Sequence, residues 1–142
     1  HDILWFKTAE PRVRFDLKQI TGTVPIIKAY AGMGIGDGII SLLAPEKIDG
    51  VVIEALGAGN LPPLAAREIK SLMDKGVPVV LVSRCFNGIA EPVYAYEGGG
   101  VKLQEAGVMF IKELNAPKAR LKLLIALSAG LEGQELKDYI EG

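Results

Sequence analysis

Three observations predict an α/β fold for this 142-residue chain: short β-branched runs alternate with helical patterns, glycine and proline punctuate the joints, and one run is apolar without alternation. The first residues, up to about Gly22, mix charges and aromatics without a period and read as a connector or edge element, with Trp5 and Phe6 needing cover. VPIIKAY (Val24–Tyr30) is then a strand, GDGIISLLA (Gly36–Ala44) a helix opened by Asp37, and DGVVIEAL (Asp49–Leu56) a second strand. PPLAAREIKSLMDKG (Pro62–Gly76) has prolines at its start, Leu64, Ile69 and Leu72 as its apolar positions, and Gly76 past its end, which is the punctuation of a helix. VPVVLVS (Val77–Ser83) is apolar throughout, as a strand buried on both faces of a parallel sheet must be, and takes the central place. Arg84–Gly100 holds too many breakers for a regular element and is expected to be a long loop at that strand's carboxyl end, where loops carry function. VKLQEAG and VMFIKEL suggest a short helix and a short last strand, and Ala116–Gly130 and Gly133–Gly142 are two closing helices.

The elements add up to a three-layer Rossmann-like or flavodoxin-like domain, with a mostly parallel sheet of about four strands and helices on both faces. A domain of this length buries roughly 68–70% of the surface its unfolded chain exposes, so a self-sufficient core is expected. Sixteen basic and 17 acidic residues, a net charge of −1, give no electrostatic reason to bind nucleic acid or an anionic membrane. No apolar run approaches the ~18 residues of a membrane span, and the chain reads as soluble and cytoplasmic. One cysteine and one histidine exclude an internal disulfide, a multi-thiolate site and the usual zinc sets. Cys85, placed after an apolar run, is expected to be buried and inert.

Three loops are candidates for chemistry. AGMGIGDG (Ala31–Gly38) fits the dinucleotide spacing in no register, because Asp37 or Ile39 falls where the third glycine belongs. It reads as a close-packed turn or, at a strand end beside a helix start, as a seat for a small anionic group. LGAGNLPP (Leu56–Pro63) has Pro62 at the third glycine's place and no P-loop lysine, but it presents Asn60, an amide with two donors and two acceptor lone pairs. A cap on the Pro62 helix or a turn residue is the plainer reading of Asn60. The stretch Arg84–Gly100 gathers Asn87, Glu91, Tyr94, Tyr96 and Glu97: a carboxylate there suits a substrate ammonium, and a tyrosine suits a pocket wall, while a solvated loop packing on a neighbouring domain is the bland alternative. Nothing supports nucleophilic catalysis within the chain, which has no G-x-S-x-G, no internal histidine and no Cys/His pair.

In order, GVVIEALGAGNLP (Gly50–Pro62), VPVVLVSRCFNG (Val77–Gly88), YAYEGGGVKLQEAGV (Tyr94–Val108) and APKARLKLLIAL (Ala116–Leu127) resemble the C-terminal domain of the asparaginase family, closest to the cytoplasmic-type enzymes of archaea. The resemblance runs over nearly the whole chain from Val24. It implies a domain at residues 24–142, with residues 1–23 a connector from an N-terminal catalytic domain that carries the threonine nucleophiles. The family's T-G-G-T and H-G-T-D-T motifs have no match here, and Thr21-Gly22-Thr23 precedes the first strand instead of following it. The implied reaction is hydrolysis of L-asparagine to L-aspartate and ammonia, without metal or organic cofactor, at a site shared between the N-terminal domain of one subunit and the C-terminal domain of its neighbour in a homodimer. On that resemblance Asn60 belongs to the glycine-rich loop that completes the site, and Glu91 and Tyr96, with Glu97 as fallback, are the substrate-binding candidates. No catalytic residue is assigned, and the isolated domain is expected to be inactive. Two alternatives stand beside this reading: an asparaginase-like subunit of a tRNA-dependent amidotransferase, and a non-catalytic α/β module that binds a small effector.

Overall fold

The computed structural model describes residues 13–36 and 38–142, so Trp5, Phe6, Asp37 and the first half of the expected connector lie outside the described residues. Four strands, β1 (Ile26–Lys28), β2 (Val51–Ala55), β3 (Val79–Ser83) and β4 (Met109–Phe110), form one sheet in the order β1-β2-β3-β4, and every pairing is parallel. The apolar runs are continuous because both faces are covered. Val51, Ile53, Val79 and Leu81 point into one core, Val52, Val80 and Val82 into the other, as the two-residue period requires.

The first face is covered by α1 (Pro63–Met73) and α2 (Gly100–Glu105), through Ala65, Ile69, Leu72 and Leu103. On the second lie α3 (Ala116–Ser128) and α4 (Gly133–Glu141), with Leu123, Leu124, Leu136 and Ile140 buried. Three layers result, with helices on both faces as the sequence predicts. In α1, Ala65, Ile69 and Leu72 recur at helical spacing, and Pro62 and Pro63 start it where no backbone donor is needed. Asn115 opens α3 by accepting the Lys118 N–H at 3.2 Å. No helix among the described residues is long and apolar enough to cross a membrane.

One predicted element is corrected. Residues 38–44 form turns and not a helix, with a single 3-10 turn at Pro45–Lys47 following. Leu42 N–H bonds the Gly38 carbonyl at 3.0 Å, but Leu43 already bonds Ile40, and the run goes no further. The left-handed φ of Gly34 and Gly36, +91° and +76°, turns the chain away from helical geometry before it starts, and Pro45 stops it afterwards. Met33 and Ile40 are nonetheless fully buried against β2 and α1, so this segment fills the layer a helix would have filled.

The described part of the N-terminal stretch lies along the α3/α4 face. Phe15 meets Tyr139 edge-on at 5.2 Å, Thr21 exchanges backbone hydrogen bonds with Ser128 Oγ, and Thr23 N–H bonds Asp49 Oδ2 at 2.6 Å. It therefore reaches the sheet at the amino ends of the strands. Because the strand order never reverses, the described sheet has no topological switch point, the crevice where open α/β sheets usually bind ligands. The three loops that the sequence offers as candidates for chemistry all follow strands, at the carboxyl edge of the sheet.

Candidate functional site

The loop after β2 closes on itself. Leu56 and Asn60 exchange backbone hydrogen bonds at 2.9 Å in both directions, so residues 57–59 form a tight projecting turn. Gly59 lies flat on the core: a Cβ there would sit 2.8 Å from the Phe110 ring and 3.1 Å from Leu81. Asn60 is half-buried, and its Oδ1 accepts the Gly100 N–H at 3.3 Å. It is thus not the cap of α1, whose cap position is Pro62 with no side-chain bond, but receives the first N–H of α2.

The stretch after β3 is irregular, yet it is sewn to the Asn60 loop along its length. Arg84 N–H bonds the Ala55 carbonyl at 2.9 Å, Glu91 N–H bonds Ala58 at 2.8 Å, and Leu61 N–H bonds Gly98 at 2.8 Å. Gly98, Gly99 and Gly100 are buried because backbone passes directly over them. A Cβ would meet the Leu61 carbonyl at Gly98, the Tyr94 carbonyl at Gly99, and Pro92 Cα, 2.9 Å away, at Gly100. Cys85 is corrected here: its side chain is exposed, since β3 ends at Ser83 and the chain turns outward before reaching it.

The four predicted binding residues divide into two pairs. Asn60 and Glu91 flank the seam between the loops, with Glu91 Oε1 held by Lys112 Nζ at 2.8 Å. Tyr96 and Glu97 lie on the rim. Tyr96 is about half exposed beside Tyr94, ring centroids 6.0 Å apart, and Glu97 is gripped by Arg67 of α1 at 2.6 and 3.1 Å. Asn87 is exposed. Among the described residues no group of three or more His, Cys, Asp or Glu is placed to hold a metal ion.

The Arg67 hydrogen bonds hold the Glu97 carboxyl below its ordinary 4.5. A carboxylate with a depressed folded pKa stabilises the fold above its unfolded value and loses that contribution as pH falls through the folded one. The melting-temperature difference between wild type and Glu97→Gln should therefore be small and positive at neutral pH, reduced by salt as for any exposed pair, and absent in acid. Thermal unfolding from pH 7 to pH 3 checks this; a difference that persists in acid would assign the effect to something other than the ion pair.

Ser83 and Arg84 went unassigned in the sequence, although a short polar pair ending a buried strand is a signal. Ser83 Oγ donates to the Gly57 carbonyl at 2.7 Å and accepts the Cys85 N–H at 3.1 Å, and an Arg84 terminal nitrogen donates to the Ala29 carbonyl at 2.6 Å. The Ser83 hydroxyl thus has its proton and one lone pair engaged. Phe86, Ile89, Val93, Tyr94 and Tyr96 expose apolar surface on the same loop.

Residues 23–140 match a family model described as the glutaminase/asparaginase C-terminal domain. A probable L-asparaginase of Deinococcus radiodurans is 44% identical over 133 residues, covering 94% of this chain and 39% of that protein. A glutamyl-tRNA(Gln) amidotransferase subunit of Pyrococcus furiosus is 33% identical over 132 residues, 92% of this chain and 29% of that one. Among solved structures, L-asparaginase I of Vibrio cholerae superposes with a TM-score of 0.73 at 26% identity, over 94% of this chain and 40% of its own. The chain thus spans well under half the length of these relatives.

Proposed function

The chain belongs to the glutaminase/asparaginase C-terminal domain family, and from that premise we propose that it is the part of a cytoplasmic L-asparaginase that completes the substrate pocket while an N-terminal domain supplies the threonine nucleophile. The observation that supports this is the carboxyl edge: Asn60 stands in a loop seam built to fine tolerance, with Glu91 beside the seam and Tyr96 and Glu97 on its rim. Asn60 uses Oδ1 to pin α2, and its Nδ2 donors serve the substrate or the neighbouring domain. Glu91 and Tyr96 meet the α-amino end of L-asparagine, with Glu97 in reserve behind its Arg67 pair. The apolar rim from Phe86 to Tyr96 packs on a partner subunit in a homodimer. Residues 1–23 connect to the catalytic domain.

Asn60→Asp in the full-length enzyme tests the reading, because it keeps the acceptor that Gly100 needs and removes the donors. It should raise KM for L-asparagine or lower kcat by about tenfold, the loss of one good hydrogen bond at a substrate, with the melting temperature little changed. Unaltered kinetics would reduce Asn60 to a loop pin. A second reading, an amidotransferase subunit, draws on the Pyrococcus relative, which is less similar than the Deinococcus one. Ammonia release from free L-asparagine without a tRNA acceptor separates the two.

A further inference from the structure

Two adjacent side chains at the end of β3 tie three strand ends together. Ser83 pairs in register with Ala55, and its hydroxyl reaches forward to the Gly57 carbonyl at 2.7 Å while it accepts the Cys85 N–H at 3.1 Å. The chain then folds back over it, with Gly88 N–H bonding the Cys85 carbonyl at 3.1 Å; any Cβ at Gly88 would collide with Ser83 Oγ. Among the described residues, this hydroxyl makes the one side-chain hydrogen bond to residues 57–59. Gly57 has a left-handed φ of +53°, and the turn it begins ends at Asn60. Arg84 continues the tie across β2: its backbone N–H bonds Ala55 at 2.9 Å, and its side chain reaches the Ala29 carbonyl at the end of β1, where the glycine-rich stretch begins.

We infer that Ser83 is a positioning residue of the substrate-facing edge, acting through the Gly57 carbonyl to hold the turn that presents Asn60, with Arg84 extending the same clamp to Ala29. A hydroxyl is suited to this because it donates and accepts at once, joining the root of one loop to the tip of another. Alanine keeps the strand and loses both bonds. Threonine keeps both, and its β-branch is at home in a strand. The kinetic side of the inference rests on the function proposed above; the structural side does not.

The test compares wild type, Ser83→Ala and Ser83→Thr in the full-length protein. With L-asparagine, Ser83→Ala should raise KM about fivefold, the worth of one hydrogen bond's orientation, while kcat stays within about twofold and Ser83→Thr returns KM to the wild-type range. An unchanged KM in folded Ser83→Ala, or a threonine variant as impaired as the alanine one, overturns the inference. If wild type itself does not hydrolyse L-asparagine, the proposed function falls, and amide hydrogen exchange then decides the clamp alone. Exchange at Cys85 and Asn60 should quicken at least about fivefold in Ser83→Ala and not in Ser83→Thr, and equal rates in all three proteins would overturn it.

Discussion

Purified by itself, the 142-residue chain is expected to release ammonia from L-asparagine at least about four orders of magnitude more slowly than the full-length protein, the scale of losing a nucleophile and its activating groups together. The side chains present support this. Its three threonines all lie in the first 23 residues, and those described, Thr21 and Thr23, sit at the amino end of the sheet, bonded through their backbones to Ser128 and Asp49. The candidate site is at the opposite edge, about 17 Å away along a five-residue strand. Ser83 is at the right edge, but its hydroxyl is committed to Gly57 and Cys85, and no histidine is among the described residues to draw its proton. Cys85 is exposed, and the described residues include no histidine to pair with it. Mixing with the matching N-terminal domain should restore turnover if the apolar rim finds its seat. An ammonia-release assay on the chain alone checks the first half. Turnover within about a thousandfold of the full-length protein would sink it, and micromolar binding of L-asparagine by the chain alone in calorimetry would favour an effector-binding module.

The central strands were legible because burial on two faces leaves a direct mark: every position of Val79–Val82 must be apolar, and is. Helices α1 and α3 carried their own start and stop chemistry in Pro62, Pro117, Gly76 and Gly130. Residues 38–44 misled because Ile39, Ile40, Leu42 and Leu43 have helical spacing, while the adjacent left-handed glycines, which decide the backbone, weigh nothing in a count of apolar residues. Cys85 misled for a related reason, since the apolar run before it shows where the strand is buried but not at which residue the chain leaves the core. The candidate site was half legible. Asn60 is visible as an amide between glycines, whereas its partner, Gly100 N–H, lies 40 residues away, and the seam that joins the two loops is made of backbone bonds that no side-chain pattern encodes. The triplet Gly98–Gly100 reads in the sequence as breakers that end a long loop, and in the fold it is a requirement for close approach.

That requirement has a measurable size, because Gly98 and Gly76 make a matched pair. Their φ angles are +88° and +87°, so alanine suffers the same left-handed strain at both, about 1–2 kcal/mol. Around Gly76 there is open space, and the strain is the whole cost. At Gly98 the new methyl runs into the Leu61 carbonyl, and the loops must part to admit it, which breaks the Leu61–Gly98 bond and loosens the Gly100–Asn60 bond beside it. One lost hydrogen bond adds about 1 kcal/mol and displaced packing about as much again, so Gly98→Ala should cost about 3–4 kcal/mol in all. For a chain of this length each kcal/mol lowers the melting temperature by about 3 °C, so the expected drops are roughly 10 °C for Gly98→Ala and roughly 4 °C for Gly76→Ala. Calorimetric unfolding of both variants measures the difference, which isolates the seam from the strain. Kinetics in the full-length enzyme then separates fold from site: Gly98→Ala should raise KM for L-asparagine because Asn60 shifts with the seam, and Gly76→Ala, at the far end of α1, should leave KM alone. Equal melting temperatures for the two variants would mean that the loops part freely and that the Asn60 edge is held by something other than its backbone.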